Sequence, residues 1–135
     1  MTIQRPAMPF IERLGRSLDV MSRRQQLIAS NVGNAETPRY RTVDIDFNDA
    51  LARALAPRPS DRGGRQAAGT AVHRAVAVRP REVDGLPARP DGNNVNIERE
   101  MAALAETRSR YRVAAMLVRT RFRQIAAALT GGRNG

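Results

Sequence analysis

Two groups of residues in this 135-residue chain have side chains that catalysis commonly uses, but neither forms a known catalytic pattern. His73 is the only histidine and the chain has no cysteine, so a structural role is favoured for it. Asp44 and Asp46 lie two apart and can pair on one face of an extended segment, although a solvated turn or a helix cap is favoured. The chain has no phosphate-binding glycine loop, no HExxH and no GxSxG pattern. The sequence therefore predicts a protein that is not an enzyme and that holds no cofactor or metal.

A third group is a series of arginines near the C-terminal end with no acidic residue among them. Its members are Arg108, Arg110, Arg112, Arg119, Arg121 and Arg123. Such a series can bind phosphates, which makes a small basic nucleic-acid-binding protein the alternative function. Residues two apart on a helix point about 200° apart, so we expect the charges to encircle the helix, and no aromatics for base stacking are interleaved. A solvated or partner-facing helix is favoured over nucleic-acid binding and over a membrane-surface helix.

The composition narrows the compartment and the partners. The net charge of +10 comes from 23 basic residues, all of them arginine, and suits an acidic partner. The absence of cysteine excludes disulfides and thiolate metal sites. No apolar run approaches the roughly 18 residues of a membrane span, and residues 1–10 lack the apolar stretch of a cleavable signal peptide. The sequence alone indicates a single cytosolic domain, unless a dedicated export machine is involved.

Near the N-terminus, apolar residues recur at alternating spacings of three and four, which predicts a helix over residues 10–33. The stripe consists of Ile11, Leu14, Leu18, Met21, Ile28, Val32 and, in its one gap, Gln25. Pro9 suits the start of this helix, Gly33 and Asn34 suit its end, and Pro38 prevents its continuation.

A second stripe predicts a C-terminal helix over residues 96–130, with Asn96 as its N-cap and Glu98 and Glu100 in the first turn, where the helix dipole favours anions. The stripe consists of Ile97, Met101, Leu104, Arg108, Tyr111, Ala115, Val118, Phe122, Ile125 and Leu129. Arg108 is its one charged member and is expected to mark register or meet an acidic neighbour.

Further apolar residues, Val113, Met116 and Leu117, lie off this seam, so one antiparallel partner helix would leave them uncovered. The predicted fold is mainly α, with the two long helices packed as an antiparallel coiled coil.

The segment between the helices divides at residue 57. Residues 34–56 hold a turn and a short helix, Asp46 to Ala56, whose apolar residues on one face are Phe47, Leu51 and Leu55. Residues 57–93 are rich in proline and glycine and are predicted to be a loop. Within them, Thr70 to Val78 alternates weakly and predicts at most one short strand, which needs a partner from this chain or another.

The turn after the first helix has a physical interpretation of its own. Asn31 and Asn34 can bond the nearby backbone and close the helix, Thr37-Pro38 directs the chain away, and Tyr40 offers a flat anchor with a polar tip. On spacing alone, an ordinary helix-end loop explains these residues equally well.

This turn resembles the N-terminal signature of the bacterial flagellar basal-body rod protein family. The positions with the same or a similar residue are Ala29, Asn31, Val32, Asn34, Ala35, Thr37, Pro38 and Tyr40. Ser30, Gly33 and Arg39 depart from the pattern. Arg39 matters most, because it replaces a glycine that permits a positive φ.

Two further stretches extend the resemblance to the proximal rod members of that family. Tyr40-Arg-Thr-Val-Asp-Ile-Asp-Phe47 continues the signature, and Asp91-Gly-Asn-Asn-Val-Asn-Ile-Glu-Arg-Glu-Met101 is similar to the start of the C-terminal helix. The two regions lie at opposite ends, in the order that the family expects, while residues 57–93 show no match.

The resemblance implies a structural subunit of the proximal rod, which transmits torque from the membrane ring to the distal rod and hook. The implied partners are further copies, other rod proteins, the membrane-ring protein, the ring-to-rod adaptor and the flagellar type III export apparatus. The implied location is the periplasmic rod of the basal body, reached without a cleaved signal peptide. We expect the assembly interface to include Leu14, Leu18, Met21, Ile28, Asn31, Val32, Asn34, Thr37, Pro38, Tyr40, Met101, Leu104, Tyr111, Val118, Phe122 and Ile125.

Overall fold

A computed structural model describes residues 8–58 and 76–131 of the chain. Its elements are α1 (Met8–Gly33), β1 (Val43–Asp44), α2 (Phe47–Leu55), β2 (Arg81–Glu82) and α3 (Ile97–Gly131). The mainly α fold with long terminal helices is confirmed. His73 lies outside the described residues.

Helices α1 and α3 pack antiparallel along most of the length of α1. Asn31 near the end of α1 contacts Glu100 near the start of α3, and Arg24 contacts Thr107. At the opposite end, the Arg121 guanidinium lies 5.1 Å from the centre of the Phe10 ring. The predicted antiparallel pairing is therefore confirmed.

The inward face of α1 matches the predicted stripe. Leu14, Met21 and Ile28 are buried, and Leu18 and Val32 are half-buried. These residues repeat every three or four positions, so they return to the same side of the helix. Ser17, Val20, Arg24 and Asn31 are buried as well, so local apolar periodicity predicted only part of this face.

The inward face of α3 differs from the predicted seam. The buried residues of α3 are Glu100, Thr107 and Ala114, spaced seven apart. Of the predicted seam, Leu104, Val118 and Ile125 are half-buried, whereas Arg108 is exposed and five apolar members stay 37–74% exposed: Ile97, Met101, Tyr111, Phe122 and Leu129. As contacts within the chain, these five were predicted wrongly.

Hydrogen bonds to buried polar residues of α1 explain why α3 turns a different face inward than predicted. Asn31 and Arg24 are buried on α1 and need partners there, because a buried polar group without a hydrogen bond is costly. Glu100 and Thr107 supply those partners from α3. Much of the apolar stripe of α3 is thereby turned to solvent.

Helix α2 packs on α1 and begins at the predicted cap. The Asp46 side chain accepts a hydrogen bond from the backbone N–H of Asp49 at 3.2 Å, so the capping role is confirmed. Phe47 is buried and Leu51 is half-buried against the core, as predicted, but Leu55 is 42% exposed, and the fully buried positions after Phe47 are Ala50 and Ala54. The Arg16 guanidinium donates to the carbonyl of Ala54 at 3.0 Å, which ties the end of α2 to α1.

A two-residue antiparallel pairing joins Val43 to Glu82 and Asp44 to Arg81. Of the predicted strand, residues 70–75 lie outside the described residues, while Val76 and Val78 form no strand and pack against the hydrophobic core. Their alternation reflects partial burial and not ladder pairing, so the strand position was wrong for these two.

We predict that Ile28→Ala lowers the free energy of unfolding by about 2–5 kcal/mol, because it leaves a cavity at a 1% exposed site. Phe122→Ala, at a 56% exposed site, should change the unfolding free energy of the isolated chain by no more than about 0.5 kcal/mol. Urea unfolding of the purified variants measures both. Equal losses would show that Phe122 packs within its own chain.

Candidate assembly site

The turn after α1 is closed by side-chain and backbone bonds of one residue. Asn34 donates from its backbone N–H to the Ser30 carbonyl at 3.0 Å and from Nδ2 to the same oxygen at 2.8 Å. Thr37 Oγ1 donates to Asn34 Oδ1 at 3.1 Å. The predicted helix-closing role of Asn34 is confirmed.

Asn31 does something different from the predicted helix closure. Its Nδ2 donates to the Val43 carbonyl at 2.9 Å and to Glu100 Oε2 at 2.8 Å. Its Oδ1 accepts from the Val43 N–H and from the Tyr40 hydroxyl, both at 3.1 Å. All four hydrogen-bonding positions of the amide are used in a side chain that is fully buried. Asn31 therefore joins α1, the turn, β1 and α3 at one point.

Glu100 carries the buried charge in this cluster. One carboxylate oxygen accepts from Asn31, and the other accepts from the Arg99 guanidinium at 2.8 Å. The sequence identified Glu100 only as an anion that suits the first turn of a helix. Glu100 lies on one face of α3 with Thr107 and Ala114, and because none of the three is a large apolar residue, apolar periodicity gives no signal for its burial.

Arg39 takes the backbone conformation that the signature glycine permits. Its φ is 61°, the only positive φ of a non-glycine residue in the described parts of the chain. The Arg39 N–H donates to the Asp91 carbonyl at 2.9 Å. A Cβ added to Gly92, whose φ is 83°, would lie 3.3 Å from Arg39 Cγ. The turn thus keeps a left-handed residue here, with an arginine that the conformation disfavours.

The loop before α3 is held against this turn by two asparagines. Asn93 Nδ2 donates to the carbonyls of Asn34 and Thr37 at 3.0 and 2.8 Å. Asn94 Oδ1 accepts from the Thr42 N–H at 2.6 Å. Both asparagines are buried, and composition and spacing did not reveal their role.

We call residues 31–44 and 89–100, joined in this way, the clasp. It brings together four of the predicted interface residues, namely Asn31, Asn34, Thr37 and Tyr40, and holds Pro38 exposed in the turn. Tyr40 is half-buried, and its hydroxyl contacts its own chain, so it is at least partly an internal anchor.

The ion pair between Arg24 and Asp44 lies next to the clasp and links it to α1. Arg24 Nε and Nη2 donate to the two carboxylate oxygens of Asp44 at 3.3 and 3.1 Å, and Nη1 donates to Thr107 Oγ1 at 3.4 Å. The same guanidinium lies 4.2 Å from the centre of the Phe47 ring. Asp44 is therefore the ion-pair partner of Arg24 in the packed structure.

The exposed apolar side chains of α3 are the second feature of the site. The large ones are Ile97, Met101, Tyr111, Val113, Met116, Leu117, Phe122 and Leu129. Val113 and Leu117 also line a groove of 280 Å³ whose other apolar walls come from Leu14 and Met21 of α1 and Leu51 and Leu55 of α2. An apolar surface of this extent is typical of a protein-binding face.

The six arginines of the series identified in the sequence fall into two sets on α3. Arg110 pairs with Glu106 at 2.8 Å and lies 5.4 Å from the Phe47 ring centre, while Arg121 lies over Phe10. The other four, Arg108, Arg112, Arg119 and Arg123, are exposed and share one face, being spaced four, seven and four apart. The expectation that the charges encircle the helix was therefore wrong for these four. Only Arg110 and Arg121 point to a different side of α3.

Within residues 8–58 and 76–131, no group of three or more acidic, histidine or cysteine side chains is placed to hold a metal ion. Over the same ranges, no helix combines the length and apolar content that crossing a bilayer requires.

The site therefore consists of a helical hairpin locked by a polar clasp, with large apolar side chains on α3 that the other described residues leave exposed. No model of a known protein family matches the chain. A flagellar basal body rod protein FlgB from Salmonella typhimurium is 31% identical, over 86% of this chain and 89% of the relative. Proteins of the same name from Cereibacter sphaeroides and Borrelia hermsii are 32% and 36% identical, over 90% and 71% of this chain and 97% and 77% of their own lengths. The chain belongs to the FlgB family of flagellar basal body rod proteins.

We predict that Asn31→Ala lowers the free energy of unfolding by at least about 3 kcal/mol, because each buried partner left without a hydrogen bond costs about 1–3 kcal/mol. The matched change Asn34→Ala, which removes a more accessible amide, should cost about 1 kcal/mol. Chemical unfolding of both purified variants gives the comparison. A loss for Asn31→Ala no larger than for Asn34→Ala would contradict the central position of Asn31.

We also predict that Arg39→Gly leaves the free energy of unfolding unchanged or raises it by up to about 1 kcal/mol, since glycine adopts a positive φ without strain. Gly92→Ala should lower it by more than about 1 kcal/mol, because its Cβ meets Arg39 at a positive φ. Thermal unfolding measures both changes. A clear loss of stability in Arg39→Gly would show that the arginine side chain makes a contact that the turn needs.

Proposed function

We propose that the chain is a structural subunit of the proximal rod of the flagellar basal body, and not an enzyme. The observation that carries the proposal is the exposure of eight large apolar side chains of α3, each of them at least 37% exposed. A monomeric soluble protein rarely exposes such a surface, whereas a subunit covers it on assembly. The rod-protein names of the relatives support the same function.

The clasp suits a part that bears torque. Asn31 donates to Glu100, Asn93 donates to the Asn34 carbonyl, and Asn94 accepts from the Thr42 N–H, so the end of α1 and the turn after it are tied to the start of α3 and the loop before it. Two helices fixed to each other in this way behave as one stiff body, so a load applied to one is shared by the other. In the rod, such bodies pass torque from the membrane ring to the distal rod and hook.

The partners of this subunit are further copies, other rod proteins, the membrane-ring protein and the ring-to-rod adaptor. The flagellar type III apparatus exports it into the periplasmic rod without cleavage of a signal peptide. These assignments rest on the family to which the chain belongs. The relatives give no support to the alternative of nucleic-acid binding.

The structural partners of three described carboxylates support the proposal that the protein is not an enzyme. Asp46 caps α2, Asp44 pairs with Arg24, and Glu100 is bonded to Asn31 and Arg99. Each acid therefore has a structural partner, which leaves none of the three poised for proton transfer.

The test is complementation of a strain from which the gene has been deleted. The wild-type chain should restore swimming and normal rods, while Met116→Asp, at a 57% exposed position, should fail because it places a charge in a subunit contact. Ala52→Asp, at an exposed position of α2, is the matched control and should restore both. Electron microscopy of isolated basal bodies gives the readout.

Folding of the two purified variants is checked by circular dichroism. Normal rods in the deletion strain itself would overturn the proposed function. Normal rods with Met116→Asp would show that the outer face of α3 lies outside the assembly interface.

A further inference from the structure

Four arginines form a stripe along the outward side of α3, which we call the arginine stripe. Its members are Arg108, Arg112, Arg119 and Arg123, and residues 107–131 contain no acid to neutralise them. All four are exposed, and none makes an ion pair with another described residue. Met116 lies beside the stripe, midway between Arg112 and Arg119, and is 57% exposed. The surface therefore calls for a partner that brings both negative charge and room for an apolar side chain.

The outward side of α1 offers that charge. Glu12 and Asp19 lie seven residues apart on one face of α1, are exposed, and make no ion pair with another described residue. Leu14 and Met21, each two residues further along, point about 200° away and face inward. Glu12 and Asp19 therefore point away from the body of their own chain.

The register of the hairpin sets the heights of these charges. Contacts between α1 and α3 join Asn31 to Glu100, Arg24 to Thr107 and Phe10 to Arg121, and each pair of residue numbers adds up to 131. Since both helices rise about 1.5 Å per residue, any two residues with this total stand level along the axis.

Three outward residues of α1 have level counterparts on α3. Glu12 is level with Arg119, and Asp19 is level with Arg112. Between them Gly15, which has no side chain, is level with Met116. Within one chain the exposed members of these pairs lie on outward sides of different helices and do not meet.

We propose that a second copy of this chain docks the outward side of its α1 on the arginine stripe of its neighbour. The proposal rests on the function proposed above and names the partner of the outer face. When two copies lie side by side with parallel axes and no offset along the axis, Glu12 of one copy meets Arg119 of the other, and Asp19 meets Arg112. Met116 enters the space beside Gly15 in the same contact.

The contact joins two different surfaces, the outward side of α1 and the arginine stripe. Every pair of copies therefore keeps one free α1 side and one free arginine stripe. A heterologous contact of this kind repeats from copy to copy and closes into a ring or continues as a helix. Contact between two arginine stripes is disfavoured instead, because it would set like charges against each other. The two pairs of opposite charge thus favour the proposed lateral contact over contact between two arginine stripes.

Compensating charge reversal in the deletion strain tests this contact. Arg112→Glu with Arg119→Glu should lower the yield of rods at least about tenfold, since like charges would then face each other across the interface. Glu12→Arg with Asp19→Arg should do the same. The chain that carries all four changes should restore rods, because the pairs are exchanged and not removed.

Arg108→Glu is the matched control. Arg108 belongs to the same stripe and undergoes the same charge change, but it is level with Arg23 and not with an acid. It should leave rod yield unchanged. Unfolding midpoints of the purified variants separate assembly defects from misfolding.

A covalent test uses the absence of cysteine from the chain. A chain with Asp19→Cys and Arg112→Cys should form disulfide-linked dimers and larger multimers in oxidised basal bodies. A chain with Asp19→Cys and Arg123→Cys should form no such multimers, because Arg123 is far along the axis from the level of Asp19. Arg112 is level with Asp19, Arg119 lies beyond Arg112, and Arg123 lies a further four residues, about 6 Å, beyond Arg119.

The outcomes separate the two proposals. If deletion of the gene leaves rods normal, the proposed function fails. If deletion removes rods but the four-fold variant fails to restore them and the cysteine pair forms no multimers, this contact is wrong while the function stands. If the double arginine reversal leaves rods normal yet abolishes binding of the purified chain to duplex DNA at physiological salt, the stripe serves nucleic acid and the proposal is overturned.

Discussion

The structure depends most on the hydrogen bonds of one buried amide. The side chain of Asn31 pairs with both the N–H and the C=O of Val43, as a neighbouring strand would, and also reaches Glu100 and Tyr40. On its other edge, the same backbone segment pairs with β2, so β1 has partners on both sides although it is only two residues long. Because an isolated two-stranded ribbon is marginal in water, the amide lets so small a sheet persist.

The buried polar cluster also decides which side of α3 is free. Glu100 and Thr107 face inward because Asn31 and Arg24 need partners, and the apolar stripe of α3 is turned away from α1 in consequence. Buried polar groups of this kind specify one register at some cost in stability. A subunit benefits from this loss of stability, because the apolar side chains of α3 that are not buried within the hairpin remain available for contacts with neighbouring subunits.

Local physics predicted much of this fold, and long-range pairing accounts for the rest. The bounds of α1 and α3 and the caps Asp46 and Asn96 followed from periodicity and from residues within one helical turn; Asn96 Oδ1 does accept from the Arg99 N–H at 2.9 Å. The inward face of α3 did not, because Asn31 and Glu100 are 69 residues apart and apolar periodicity carries no record of such a bond. The position of β2 likewise depends on a partner far away in the sequence. In the candidate site, the resemblance identified the turn around Tyr40, whereas the asparagines of the 91–95 loop acquire their role only when that loop is folded onto the turn.

The clasp has a consequence for how such a chain can change its length. Thr42 and Asn94 are hydrogen-bonded although 52 residues separate them, so everything between them is a closed excursion from the helical hairpin. The entropy of closing a loop rises slowly, by about 0.6 kcal/mol for each doubling of its length. Outside β1, α2 and β2, which pack against the hairpin or pair with each other, residues can therefore be inserted or lost within that excursion while α1 and α3 keep their register. The hairpin thus provides a fixed frame, and the excursion is the part where evolution, or an engineer who wishes to display a foreign sequence, can add material at little cost in stability.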